Sequence, residues 1–177
     1  MSTITAYGPY VLPAGQSLVS ADPAALSLIY QVAPGATVTL GGDILMPGPG
    51  PNPMGTTSPS AIVMETSSTA GGVLHIAATA HIDVRAWSPQ ATATGIMGGM
   101  WTPQVINDGS IKVQGPYYAY GVLLGARRDD ASPDFINHGT ITVTSDTVAN
   151  GVLMNSGGDV ENSGTLLVSG RAPRRTP

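Results

Sequence analysis

The chain has 177 residues, enough for one domain with a hydrophobic core; only 10 % of them are charged and 42 % are hydrophobic. This composition excludes an intrinsically disordered protein, and the absence of cysteine excludes a disulfide framework or a thiolate metal site. The net charge is −4, and three of the seven Lys and Arg residues lie within the last seven positions, so we expect no nucleic-acid partner. No apolar run approaches the length of a membrane span, and we expect no membrane insertion.

The first 35 residues do not follow the pattern of the rest of the chain, and we predict that residues 1–35 form an N-terminal cap. Within them, ADPAALSLIYQV (Ala21 to Val32) is compatible with a helical turn that begins at Asp22–Pro23, or with a strand that pairs on the first repeat. The opening residues lack the basic and apolar regions of a secretory signal peptide.

A nine-residue pattern occurs three times: VINDGSIKV from Val105, FINHGTITV from Phe135 and VENSGTLLV from Val160. Each copy reads as a short strand, a turn and a second strand with alternating apolar residues. The turn contains Asn and, two residues later, Gly. We expect the glycine to supply a positive φ and the asparagine to bond the backbone locally.

A second strand follows each copy at a steady distance. YGVLL comes ten residues after Ile111, and NGVLM ten residues after Ile141. Fainter copies lie upstream, and ATVTL (Ala36 to Leu40) would be the earliest, followed by SAIVM (Ser60 to Met64). The first strands are then centred on Val38, Ile82, Ile111, Ile141 and Leu166.

Repeats of 25 to 30 residues with two or three short strands predict an all-β fold, a right-handed parallel β-helix (β-solenoid) of about five coils over residues 36–170. Successive coils lie about 4.8 Å apart, so equivalent residues stack in columns. We expect interior columns of Val105, Phe135 and Val160, of Ile111, Ile141 and Leu166, and of Val113, Val143 and Val168. A β-sandwich is the alternative, but it does not require the same residue type at the same place in each unit.

The turn residues should also stack. Asn107, Asn137 and Asn162 are predicted to form a polar ladder, with Gly109, Gly139 and Gly164 beside them. Residues 171–177 form a basic tail that cannot continue a strand and that we expect to be disordered. Nothing in the sequence covers the last coil, which indicates a fragment of a longer solenoid or an exposed C-terminal coil that self-associates.

The Asn-x-Gly coil, followed by Gly121 and Gly151 in the next strands, resembles the β-helical stalks of bacterial autotransporter passengers and of type I-secreted, adhesin-like proteins. The resemblance covers about residues 36–170. It implies export to the medium or the cell surface and a structural or adhesive role, often within a longer chain. A signal peptide, a translocator barrel and calcium-binding nonapeptides, which such proteins carry, are absent from this sequence.

Three groups of side chains are candidate sites. Asp129, Asp130 and Asp134 lie between two predicted strands, where clustered carboxylates can bind Ca²⁺ or cleave a glycosidic bond; the alternative is a solvated loop neutralised by Arg127 and Arg128. Five aromatic residues are assigned to segments that join strands, where their rings could form a platform for sugars or cover coil edges: Trp87, Trp101, Tyr117, Tyr118 and Tyr120. His75, His81 and His138 have unrelated spacings, and we expect them to face solvent rather than a metal ion.

The sequence therefore predicts a non-enzymatic, extracellular structural or adhesive solenoid without a cofactor, which contacts glycans or cell-surface components through its aromatic loops. A carbohydrate-active β-helix enzyme and a phage fibre or spike component are the alternatives. Acids that share one loop argue against catalysis, because an active site is better supported on rigid strands.

Overall fold

A computed structural model describes residues 4–6, 9–20, 29–32, 37–47, 58–64, 72–99, 103–125 and 133–170. Its described residues form three six-stranded sheets and no helix. Sheet A contains β1 (Ile4–Ala6), β4 (Ile29–Val32), β7 (Ser60–Met64), β10 (Thr92–Gly98), β13 (Tyr118–Leu124) and β16 (Val148–Met154). Sheet B contains β2 (Tyr10–Leu12), β5 (Thr37–Leu40), β8 (Val73–Ile76), β11 (Gln104–Asn107), β14 (Phe135–Asn137) and β17 (Val160–Asn162). Sheet C contains β3 (Ser17–Val19), β6 (Asp43–Met46), β9 (His81–Arg85), β12 (Ser110–Gly115), β15 (Thr140–Ser145) and β18 (Thr165–Gly170).

The chain visits the three sheets in turn, and each strand pairs in parallel with the strand three places further along. A β-sandwich would contain antiparallel pairs. Every pairing between described strands is parallel. The predicted parallel β-solenoid is therefore confirmed.

The repeats stack in the predicted register. Phe135 pairs with Val105 and Val160, and Val143 pairs with Val113 and Val168. Phe135 and Val143 are fully buried, because the inward residues of the three sheets pack against one another in one core. Alternate residues face outward, as the two-residue period of a strand requires.

The predicted column of one upstream strand, the strand centred on Val38, is wrong. Val38 lies in sheet B and pairs with Leu74, whereas the residue aligned with Ile82 in sheet C is Ile44. Leu40 occupies the place that asparagine takes in later repeats, and the Asn-x-Gly signature is therefore missing at that turn. SAIVM was placed correctly, since Ile62 pairs with Ile96 in sheet A.

The predicted N-terminal cap contains strands of the same three sheets. β2 pairs with β5 and β3 pairs with β6, in parallel and in register. The end of the segment from Ala21 to Val32 is strand β4, which pairs with β7 at Ile29 and Ile62; residues 21–28 lie outside the described residues. The predicted basic tail, residues 171–177, also lies outside them.

The three turn asparagines form a hydrogen-bonded ladder. Asn107 Nδ2 donates to Asn137 Oδ1 at 2.7 Å, and Asn137 Nδ2 donates to Asn162 Oδ1 at 2.7 Å. Asn107 and Asn137 are buried and Asn162, at the end of the stack, is exposed. The ladder begins at Asn107 because Ile76 precedes it in the column, so Asn107 Oδ1 is buried without a partner.

The turn glycines are required for a different reason from the one expected. The described glycines with positive φ are Gly15, Gly72, Gly157 and Gly158, and none of them is a turn glycine of the repeat. A Cβ on Gly139 would instead lie 2.0 Å from the carbonyl oxygen of Gly109, and a Cβ on Gly164 would lie 2.2 Å from that of Gly139. Close stacking of backbone on backbone therefore excludes a side chain there.

Candidate functional site

Trp87 is an exposed aromatic residue beside sheet C. It follows the end of β9, and 39 % of it is exposed. Its indole N–H donates to the carbonyl oxygen of Pro47 at 2.7 Å, and the guanidinium carbon of Arg85 lies 4.7 Å from the ring centroid. Contacts to two neighbours therefore hold the ring, and part of it remains open to solvent.

A groove runs along the outer face of sheet C next to this ring. Arg85 and Gln114 occupy its centre, where Arg85 Nε and Nη2 both donate to Gln114 Oε1 at 3.0 and 2.6 Å. Two adjoining concavities share these residues, with volumes of about 270 and 370 Å³. We call them together the sheet-C groove, whose residues are Val19, Leu45, Met46, Pro47, Asp83, Arg85, Ala86, Trp87, Lys112, Gln114, Gly115, Pro116, Thr144, Ser145 and Asp146.

The chemistry of the sheet-C groove combines one aromatic face with groups that donate and accept hydrogen bonds. Trp87 offers an apolar surface, Gln114 an amide, and Asp83 and Asp146 carboxylates. A ligand that has an apolar face and a rim of hydroxyl groups can satisfy both kinds of group. Outward side chains of neighbouring strands bring these residues together, because Arg85 and Gln114 are partners in the pairing of β9 with β12.

The predicted tyrosines form a separate cluster. The rings of Tyr117 and Tyr118 meet edge to face at 4.2 Å, and those of Tyr118 and Tyr120 stack at 6.1 Å. A hydrogen bond with Tyr117 and the nearby Tyr117 oxygen raise the pKa of Tyr118. The assignment of all five aromatic residues to joining segments was wrong, because Tyr118 and Tyr120 lie within β13, where Tyr118 pairs with Val148. Trp101 lies outside the described residues.

Of the predicted acidic cluster, the structure describes only Asp134. It is buried, with 6 % of it exposed, and its Oδ2 accepts the backbone N–H of Asp159 at 2.9 Å. Asp129 and Asp130 lie outside the described residues. Within the part of the chain that the structure describes, no three His, Cys, Asp or Glu side chains are grouped so that they could hold a metal ion, and no helix is long and apolar enough to cross a membrane.

Two histidines converge on one carboxylate, although the sequence suggested no relation between them. Asp108 Oδ2 lies 2.7 Å from His75 Nε2, and Asp108 Oδ1 lies 2.7 Å from His138 Nδ1. His138 is exposed and His75 is half-buried, and the contact with His138 arises because stacking places the residue after Asn107 beside the residue after Asn137. His81 contacts Ser110 Oγ at 2.7 Å instead.

Because of its contacts with His75 and His138, we expect Asp108 to contribute to the stability of the protein in a way that depends on pH. Hydrogen bonds from His75 and then His138 lower the pKa of Asp108 below its ordinary value. A carboxyl whose pKa is lower in the folded state adds stability above its unfolded pKa, about 4, and loses it as the pH falls through the folded value. About a third of the Asp108 and His75 side chains and about half of the His138 side chain are exposed, so we expect an effect of no more than about 1 kcal/mol. Melting temperatures of Asp108→Asn and the parent protein should differ at pH 6, and the difference should decrease as the pH falls below about 4.

Comparison with known proteins adds no relative to this picture. A scan against models of protein families, a search of curated protein sequences and a search of solved structures each found no match to this chain.

Proposed function

We propose that the protein is a non-enzymatic, extracellular structural or adhesive β-solenoid that binds glycans in the sheet-C groove. The observation that carries this proposal is the half-exposed ring of Trp87 beside the hydrogen-bonding side chains of Arg85 and Gln114. An aromatic face next to planar polar groups suits a sugar ring, which stacks through its C–H face and bonds through its hydroxyls. The tyrosine cluster is a second aromatic surface that a longer glycan could reach.

The proposal extends to the architecture. We infer a right-handed solenoid of about five coils, with residues 1–35 as its N-terminal cap, in a secreted or surface protein. Beyond residue 35, sheets B and C each contain five strands, which supports the coil number, and the strong preference for right-handed parallel crossovers supports the hand. The resemblance to β-helical stalks supports export.

A non-enzymatic role is favoured by the state of Asp134. Its carboxylate accepts a backbone N–H in a buried position, which is a structural use of the group. A buried carboxylate that bonds the backbone is poorly placed to attack or protonate a glycosidic bond.

Glycan binding is tested with immobilised oligosaccharides and the 177-residue protein. Trp87→Ala should reduce binding at least about tenfold, since the loss of an aromatic contact and its desolvated surface costs about 1.5 kcal/mol or more. Val11→Ala is the matched control, because Val11 is 62 % exposed on sheet B, outside the groove and the tyrosine cluster, and this variant should bind normally. Equal binding by Trp87→Ala and the parent protein, with both folded by circular dichroism, would contradict the groove assignment.

The extracellular location is tested separately in the native host. Protease treatment of intact cells should release or degrade the protein, or the protein should be found in the medium. Recovery only from the cytosol, with full protection from the protease, would rule out the adhesive role whatever the glycan array shows.

A further inference from the structure

Both ends of the solenoid leave strand edges without a neighbour in the described part of the chain. β1, β2 and β3 form one end of the three sheets, and β16, β17 and β18 form the other. Each edge presents backbone N–H and C=O groups in the spacing of a parallel strand, and such an edge is a template for another strand.

Exposed apolar side chains are concentrated on these edge strands. Of the nine large hydrophobic residues that are exposed in the described part, seven lie on β2, β3, β16, β17 or β18. They are Val11, Val19, Val148, Val160, Leu166, Leu167 and Val168. Two of the seven lie at the N-terminal end and five at the C-terminal end, and clustered exposed apolar side chains are typical of surfaces that pack against a partner.

In sheet C, outward-facing side chains stack in one column, and the polarity of this column differs between the ends and the middle of the solenoid. Asp83, Lys112 and Thr142 occupy this column in the middle of the stack. The same column carries Val19 on β3 and Leu167 on β18, which are 57 % and 55 % exposed. Leu45 on β6 also lies in this column, so the polar side chains in the middle give way to apolar ones towards both ends, including the two strands that would meet if one solenoid stacked on another.

We propose that a second copy of this chain docks head to tail, with its strands β1, β2 and β3 on β16, β17 and β18 of the first. The order of the sheets along the chain is A, B, C, repeated from β1 to β18. Strands β1, β2 and β3 of a second copy would therefore extend sheets A, B and C in the same order and in the parallel direction. Leu167 of one copy then contacts Val19 of the next, and the inward Leu166 contacts Leu18.

Charge favours this arrangement over a tail-to-tail dimer. Described residues 9–20, at the N-terminal end, contain no charged residue, whereas Asp159 and Glu161 lie at the C-terminal end. Tail-to-tail docking would bring two copies of these acids into one interface, where like charges repel. Head-to-tail docking places them against β1, β2 and β3, whose residues carry no charge.

The asparagine ladder is compatible with head-to-tail docking. Asn162 would stack on Leu12, which occupies the column of Leu40, Ile76 and Asn107. An asparagine already stacks on an aliphatic residue inside the solenoid, where Asn107 follows Ile76. Because a head-to-tail contact leaves a free end on both outer copies, association is open-ended and produces filaments rather than closed rings.

The test is sedimentation velocity of the 177-residue protein over a hundredfold range of concentration. We expect the average mass to rise beyond twice 17.9 kDa as concentration increases. Leu167→Lys and Val19→Asp, each alone, should remain monomeric. Thr142→Lys is the matched control: it places the same charge in the same outward column within the stack, and it should associate like the parent protein.

Mixing the two end variants separates the possible geometries. Leu167→Lys retains an intact N-terminal end and Val19→Asp an intact C-terminal end, so a head-to-tail contact predicts that the mixture forms heterodimers although neither variant associates alone. A parent protein that stays monomeric at all concentrations would overturn the proposal. Dimers that Val19→Asp leaves intact would also overturn it, in favour of a tail-to-tail contact.

Discussion

Replacing Val143 by aspartate should unfold the protein. Val143 is fully buried, and it lies in a column between Val113 and Val168. A carboxylate there would have no partner, and an uncompensated buried charge costs about 3–5 kcal/mol or more. Domains of this size have a total stability of about 5–15 kcal/mol. We therefore expect loss of the β-sheet signal in circular dichroism at 25 °C, or a melting temperature lowered by more than about 10 °C.

The neighbouring residue supplies the control for this experiment. Thr142 is half-buried, its side chain lies on the outward face, and its partner in the adjacent strand is Lys112. Thr142→Asp should therefore melt within a few degrees of the parent protein, because surface substitutions usually change the stability by less than about 0.5 kcal/mol. If Val143→Asp also melted like the parent protein, the inward register of β15 would be wrong.

The sequence predicts the solenoid wherever residue type repeats at the same place in each unit. The columns through Phe135 and Val143 follow from the Asn-x-Gly turns, which set the register of three successive repeats. The prediction fails at Val38, where the turn lacks its asparagine. The register there depends on which residues pack inward in the neighbouring coils. The alternating pattern of a single strand does not reveal this.

The geometry of the candidate site is harder to predict from the sequence than the fold. Asp108 and His138 could have been paired from the register, since each follows a ladder asparagine. His75 reaches Asp108 from an outward strand position 33 residues earlier, and this contact depends on how the coils stack rather than on any local pattern in the sequence. The contact between Trp87 and Pro47 spans 40 residues and depends on the path of a loop, which repeat spacing does not specify.

Asn137→Ala should produce the second large loss of stability. It removes both 2.7 Å ladder bonds and leaves the buried Asn107 amide without its acceptor. Each lost bond costs about 1 kcal/mol, and an unsatisfied buried donor costs about 1–3 kcal/mol. We expect a decrease of about 2–4 kcal/mol in the free energy of unfolding, measured by urea denaturation. Asn162→Ala removes one bond at an exposed position and should cost about 1 kcal/mol or less.

A paired substitution tests whether the loss comes from the orphaned amide. Leu40 and Ile76 precede Asn107 in the same column and are fully buried, so an aliphatic side chain fits this interior. Replacing Asn107 and Asn137 together by leucine removes every buried amide group of the ladder. Because the cost of a hydrogen bond falls mainly on the partner left unpaired, the double variant should be more stable than Asn137→Leu alone. If the double variant were instead the less stable of the two, the asparagines would contribute through their shape and turn conformation rather than through the ladder.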